Sequence, residues 1–191
     1  NIPNAFRVQV VHIVRDTIGE DSDYETEASK LYRLVHKTLC KEYGVFSLKQ
    51  YPESNFGAIF DYFLAERDHE KCLDIIEICF KLIDGYIRSN EWKFRGLVKQ
   101  SPDDAIEELN IRFKEAGLGY QFESGELVKV DSQFIHSDVV KPTLQILGKN
   151  KSYNGANDEF LSAHEHYRHQ RYKECLNDCL KSFESLMKAI H

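Results

Sequence analysis

An arginine and a histidine near the start of the chain have residue types that could cleave RNA. Arg7 and His12 are separated by four residues. A guanidinium offsets the charge of a phosphate, and an imidazole can move a proton near neutral pH. The pair therefore predicts a candidate ribonuclease site that needs no metal. The alternative is a surface arginine and a histidine packed on a helix, because this spacing often arises by chance.

A second candidate site is a basic and aromatic cluster near the C-terminal end. It contains Tyr167, Arg168, Arg171 and Lys173, with a second aromatic ring at Tyr172. Cations of this kind can hold an RNA backbone, and an aromatic ring can stack on a base. Acidic residues lie close by in sequence at Glu165, Glu174 and Asp178. The alternative is therefore a solvated turn.

Histidines and cysteines in the same region are residue types that bind zinc. They are His164, His166, His169, Cys175 and Cys179. The two cysteines are one helical turn apart, as paired ligands would be. However, they flank an apolar stripe, where a free cysteine is commonly a small core residue, and no CxxC or HExxH spacing is present. The acidic residues between positions 20 and 27 also lack an EF-hand pattern. We therefore expect no metal and no cofactor.

The apolar spacing indicates that helices must position these residues. Repeats of three and four predict helices over residues 2–19, 27–43, 55–65, 68–87, 101–116, 134–147, 157–169 and 172–191. In the first of them, alternation from Phe6 to Val10 leaves a strand open. Two alternating runs around Ser124-Gly125 predict a β-hairpin. Residues 89–99 read as a polar connector and residues 149–156 as a loop.

Two helices carry wide apolar faces. The helix over 68–87 has enough apolar residues to pack on more than one side and to leave surface for a partner to cover. In the last helix, Leu176, Leu180, Phe183 and Met187 form the stripe of an amphipathic helix. At the start of another helix, Ser101 and Pro102 are a strong N-terminal signal.

Composition narrows the class of protein. The chain has 191 residues, of which 42% are hydrophobic and 29% charged, as in ordinary globular proteins. The net charge of −6 disfavours nucleic-acid binding through bulk charge. The number of cysteines is odd, and all five fall in helical patterns, which predicts a reduced cytoplasmic protein. No apolar run is long enough to span a bilayer, so no membrane association is expected.

Three segments together resemble a bacterial family. They are IPNAFRVQVVHIVRDTIG at residues 2–19, GYQFESGELVKVDSQFIHSDVVKPTLQIL at 119–147, and the stretch from 156 to 191. They resemble AbiJ-type abortive-infection proteins in which an AbiJ N-terminal domain precedes a HEPN-like helical region. The resemblance covers most of the chain.

The resemblance implies a role in defence against phage. Such proteins are thought to sense infection and to injure the cell by HEPN-type RNA cleavage, and HEPN domains commonly form homodimers. Arg-x4-His is the minimal HEPN motif, but family members usually have a polar residue after the arginine, where this chain has Val8. In similar proteins the motif follows the helix pair, which would place catalysis beyond His191.

The sequence therefore predicts a mainly α protein of roughly seven helices and one small β-hairpin, ending in a HEPN-like antiparallel helix pair. Residues 1–150 would form an AbiJ N-terminal-like domain, and residues 151–191 the start of a truncated HEPN-like domain. The first hypothesis is a sensing and dimerising scaffold, not catalytic by itself. The alternatives are a ribonuclease using Arg7 and His12, and a helical interaction module. Expected partners are a second copy, RNA, and a phage or host trigger protein.

Overall fold

The fold is mainly helical with one small antiparallel hairpin, as the sequence predicts. The computed structural model describes residues 2–22, 24–96, 98–130 and 139–190. It divides into two compact units, Asn1–Leu118 and Gly119–His191. Within the described residues, no helix combines the length and the apolar character needed to cross a membrane.

The described residues of the first unit form six α-helices. They are α1 (Asn4–Ile18), α2 (Glu27–Glu42), α3 (Asn55–Ala65), α4 (His69–Leu82), α5 (Glu91–Phe94) and α6 (Pro102–Glu115), and a π-helical turn, Ile83–Ile87, extends α4. Side chains of Thr26, Ser54, Asp68 and Ser101 cap four of them by accepting a backbone N–H. The predicted start at Ser101-Pro102 is thus confirmed, whereas the connector predicted over 89–99 contains α5.

Helix α1 lies in the core of this unit. It contacts α3, α4 and α6, and it buries Phe6, Val10, Ile13, Val14 and Ile18. These positions have the helical period, so the strand alternative for the first segment is wrong. The ring centroids of Phe6 and Phe113 lie 4.9 Å apart and join α1 to α6.

Helix α4 is covered within the chain itself. Its apolar residues are buried at Cys72, Leu73, Ile75, Ile76, Cys79 and Phe80, which confirms packing on more than one side. The expectation that this helix leaves apolar surface for a partner is wrong, because these apolar side chains are already buried within the chain.

The second unit combines the hairpin with a helix pair. Strands β1 (Tyr120–Glu123) and β2 (Glu126–Lys129) are followed by α7 (Lys141–Lys149), a 3-10 turn (Lys151–Tyr153), α8 (Asn154–Arg168) and α9 (Tyr172–Ile190). Tyr120 pairs with Lys129 and Glu123 with Glu126. The turn residues Ser124 and Gly125 both have positive φ, 53° and 83°, which is the type I′ geometry of two-residue hairpins.

Two predicted boundaries in this unit need comment. The loop predicted over 149–156 is shorter than expected, because α8 already begins at Asn154. Pro142 lies in the first turn of α7, where its missing N–H costs nothing. Residues 134–138 of the predicted helix over 134–147 lie outside the described residues. Asp131, at the end of the predicted hairpin run, also lies outside them.

Candidate functional site

The Arg7 side chain is buried, and its N–H groups donate hydrogen bonds to backbone carbonyl groups. Only 5% of its surface is exposed. Its Nη1 donates to the carbonyl oxygen of Phe63 at 2.8 Å and makes a short contact with that of Glu66, while Nε donates to Ile2 at 3.3 Å. The C-terminal carbonyls of α3 have no helical partner and carry partial negative charge. Arg7 therefore caps the end of α3 from a neighbouring helix.

His12 has a different environment from Arg7. Its side chain is exposed, and its Nδ1 lies 2.9 Å from the Nη2 of Arg15. At 100° per residue along α1, His12 is turned about 140° away from Arg7. The structure therefore does not bring the two side chains of the predicted cleavage site together. Cleavage by this pair stays a prediction from spacing alone.

The turn between α8 and α9 has a defined geometry. The N–H of Gln170 donates to Tyr167, and that of Arg171 donates to His166. These two bonds are those of a Schellman motif, which needs a left-handed residue that is usually glycine. Gln170 takes this position with φ of 58°. The turn thus fixes the direction of both helices around the predicted RNA-binding cluster.

The cluster itself is only partly exposed. The rings of Tyr167 and Tyr172 lie 5.8 Å apart, and the Lys129 ammonium lies 5.3 Å from the Tyr167 ring centre. Arg171 and Lys173 are exposed, and neither side chain has an ion-pair or hydrogen-bond partner among the described residues. Arg168 differs from this arrangement because its side chain is buried beside Glu165 and His169. Lys129 was not predicted, since it is far from the turn in sequence.

The histidines that were considered as zinc ligands have separate partners. His164 packs against Phe160, the Nε2 of His166 lies 3.3 Å from the Asp178 carboxylate, and the Nε2 of His169 lies 2.9 Å from Glu165. Among the described residues, no three histidine or cysteine ligand atoms come together at metal-binding distance.

The contact between α8 and α9 is polar. Asp178 is buried and accepts from Ser162 at 2.7 Å and from Lys181 at 2.8 Å. The Lys181 and Ser162 hydrogen bonds hold the pKa of Asp178 below its usual range. One turn further along α9, the buried Ser182 hydroxyl donates to the carbonyl of Ala156 at 2.7 Å. Helix α9 therefore turns its polar side towards its neighbour.

The apolar stripe of α9 faces the opposite direction and is open to solvent. Leu176 is 71% exposed, Leu180 58% and Phe183 61%. The outward surface, which we call the α9 apolar face, consists of Tyr172, Leu176, Leu180, Phe183, Met187 and Ile190. Soluble monomers rarely expose a continuous surface of this kind, and such patches usually mark interaction sites. The sequence located the stripe but not its direction.

Comparison with known proteins identifies the two parts of the chain. Residues 1–145 match the family model AbiJ N-terminal domain 4, and residues 154–191 match the family model of an HEPN-like domain. No curated protein and no solved structure shows significant similarity. The boundary between the two compact units follows Leu118, whereas the two family-model matches are separated by residues 146–153. The predicted domain division therefore stays a prediction. The chain belongs to the AbiJ N-terminal domain 4 family, with an HEPN-like domain following that domain.

Proposed function

We propose that this chain is the sensing and dimerising scaffold of a bacterial abortive-infection protein. The AbiJ and HEPN-like domains support a role in abortive-infection defence. In this proposal the chain acts in the cytoplasm, and the RNA-cleaving HEPN motif lies outside residues 1–191. The burial of Arg7 against backbone carbonyls favours this proposal over a nuclease built from Arg7 and His12.

The observation that carries the proposal is the α9 apolar face. Its six large side chains expose roughly 100 Å² each, or about 600 Å² per chain. Two copies pairing through this face would bury about 1,200 Å², which is the lower end of stable protein interfaces. A two-fold axis allows one self-complementary surface to cover itself. A second copy of the chain is therefore the occupant that we propose for the α9 apolar face.

The test combines oligomeric state with cross-linking. Light scattering after size exclusion should give a dimer for the parent chain and a monomer for the double variant Leu180→Glu, Phe183→Glu. Cys179 lies beside both residues on α9 and is exposed, so a short bismaleimide should join two chains through it. Cys179→Ser should abolish that cross-link while leaving the dimer intact.

The matched control changes another exposed apolar residue. Ile111 is exposed on α6, and Ile111→Glu should remain dimeric. A parent chain that is monomeric at high concentration would refute the proposal, as would a dimer that the α9 double variant leaves unchanged. In cells, the complete gene should protect against phage, and the α9 double variant should lose that protection at equal protein level.

RNA binding at the α8–α9 turn is a second candidate function. The exposed cations of Arg171 and Lys173, whose side chains have no partner in the described part of the chain, lie beside the paired rings of Tyr167 and Tyr172. Cations that track a backbone and a ring that stacks on a base are the usual elements of single-strand binding. A labelled oligouridylate should bind the parent chain more tightly than Arg171→Gln, Lys173→Gln. Equal affinity for the two proteins, or an equal loss with the control Lys114→Gln, Lys188→Gln, would reject this function.

A further inference from the structure

A groove on the first unit combines lysine side chains with an exposed aromatic ring, and it is not part of the α9 apolar face. It lies at the C-terminal end of α2 and has a volume of about 560 Å³. Its walls are formed by His36, Lys37, Cys40, Lys41, Gly44, Val45 and Phe46. The volume is in the range of sites that take a large side chain or a small ligand.

The Phe46 side chain is the unusual feature of this groove. It is fully exposed, at 107% of its reference surface, and its neighbour Val45 is also exposed. An aromatic ring left in water forgoes the stabilisation that burial would give it. The exposed ring therefore provides apolar contact surface for something outside the chain.

The loop that carries Phe46 is held in place rather than loose. The N–H of Val45 donates to Cys40 at 2.9 Å, and that of Leu48 donates to the Nε2 of His36 at 3.3 Å. The other ring nitrogen of His36 lies 3.1 Å from the Asn55 side chain. Because these bonds already fix the loop, a ligand would not have to supply the free energy of ordering it.

Among the described residues, the charged side chains that line the groove belong to two lysines. Lys37 and Lys41 are one helical turn apart on the exposed side of α2, and neither has a partner among the described residues. None of the described residues that line the groove is acidic, although the whole chain has a net charge of −6. A local positive surface on an acidic protein favours an anionic partner.

We propose that this groove binds an acidic peptide segment that carries a large apolar side chain. The apolar side chain would pack against Phe46 and Val45, and the carboxylates would pair with Lys37 and Lys41. The inference deepens the proposed sensing role and rests on it, because it assigns the surface and the chemistry by which a trigger protein is recognised.

A peptide fits the groove better than a nucleic acid does. Nucleic-acid affinity comes chiefly from many phosphate contacts, whereas the described lining of this groove offers two unpaired lysines. Its remaining walls are mainly apolar, which suits a side-chain anchor, and a single anchor in a pocket commonly dominates the affinity of a peptide. The −6 net charge of the chain further disfavours a polyanion.

The experiment is a selection with a displayed library of random dodecapeptides on the immobilised chain. Enriched peptides should combine acidic residues with a leucine or an aromatic residue. For the best peptide, made synthetically and labelled with fluorescein, anisotropy should show an affinity about tenfold lower for Lys37→Gln, Lys41→Gln and for Phe46→Ala. These residues are exposed, so circular dichroism should confirm that the variants are folded.

Matched controls change the same residue types elsewhere on the first unit. Lys114→Gln and Ile111→Ala, both on the exposed side of α6, should leave the affinity unchanged. The inference is overturned if no acidic peptide is enriched, or if the groove variants bind the peptide as well as the parent does. It is also overturned if oligouridylate or phosphatidylserine vesicles, and not peptides, bind in a manner that depends on Phe46. The dimer assay on α9 reports separately, so failure of one proposal is distinguishable from failure of the other.

Discussion

Replacing Arg7 should destabilise the first unit, because its guanidinium caps the end of α3. Arg7→Met keeps the apolar stem and removes every donor. The carbonyl of Phe63 then loses a 2.8 Å hydrogen bond, and those of Glu66 and Ile2 lose theirs. An unsatisfied buried acceptor costs about 1–3 kcal/mol, but water can replace part of the loss at the half-exposed Glu66. We therefore expect the free energy of unfolding to fall by about 3 kcal/mol.

Urea unfolding followed by far-ultraviolet circular dichroism measures this change. A loss of 3 kcal/mol should also lower the melting temperature by about 10–15 °C in a unit of this size. Arg7→Lys should lose about half as much, since one ammonium cannot reproduce the planar fork. The matched control is Arg33→Met, because Arg33 is exposed and pairs with the exposed Glu25. It should cost less than about 0.5 kcal/mol.

One result would refute this reasoning. If Arg7→Met unfolds at the same urea concentration as the parent chain, the guanidinium does not hold α3 and is free for other chemistry. Cleavage of cellular RNA that is lost in both Arg7→Met and His12→Ala, with stability unchanged, would then restore the nuclease hypothesis. His12 is exposed, so His12→Ala should leave stability unchanged in either case.

Three further predictions concern the helix pair and the thiols. Gln170→Gly should stabilise the second unit by about 0.5–1 kcal/mol in thermal unfolding, because glycine takes a left-handed conformation without strain. The bond from Lys181 holds the pKa of Asp178 below its unfolded value, so the ionised carboxylate stabilises the helix pair above about pH 4 and this stability is lost as the pH falls through the folded-state pKa. Between about pH 5 and pH 3, the melting temperature of the parent chain should therefore fall further than that of Asp178→Asn. Burial raises the pKa of Cys79 to about 12, so Ellman's reagent should modify the exposed Cys179 at once and Cys79 only after unfolding.

Local rules predicted most of the helices and the hairpin. Ser101 followed by Pro102 predicted a helix start, and the alternating runs around Ser124-Gly125 predicted a β-hairpin, because both signals are local in sequence. The start of α8 at Asn154 was missed, since Asn154-Gly155 is also typical of a loop. The Schellman turn at Gln170 has no glycine to indicate it.

The candidate sites were harder to predict because they depend on contacts that are distant in sequence. Arg7 is held by carbonyls 56 to 59 residues away, and no spacing along α1 encodes that contact. For α9, periodicity gives the position of an apolar stripe on the helix but not which side meets the neighbouring helix. The polar side of α9 meets α8 because Asp178 and Ser182 find partners there.

The outward direction of the α9 apolar face affects how the amount of dimer depends on the concentration of the protein. If two copies cover that face for each other, the amount of pair follows mass action. Well below the dissociation constant, the concentration of the pair rises with the square of the total protein, so a twofold increase in expression gives about fourfold more pair. An activity that requires the pair would then stay low in a resting cell and rise steeply with a small increase in synthesis.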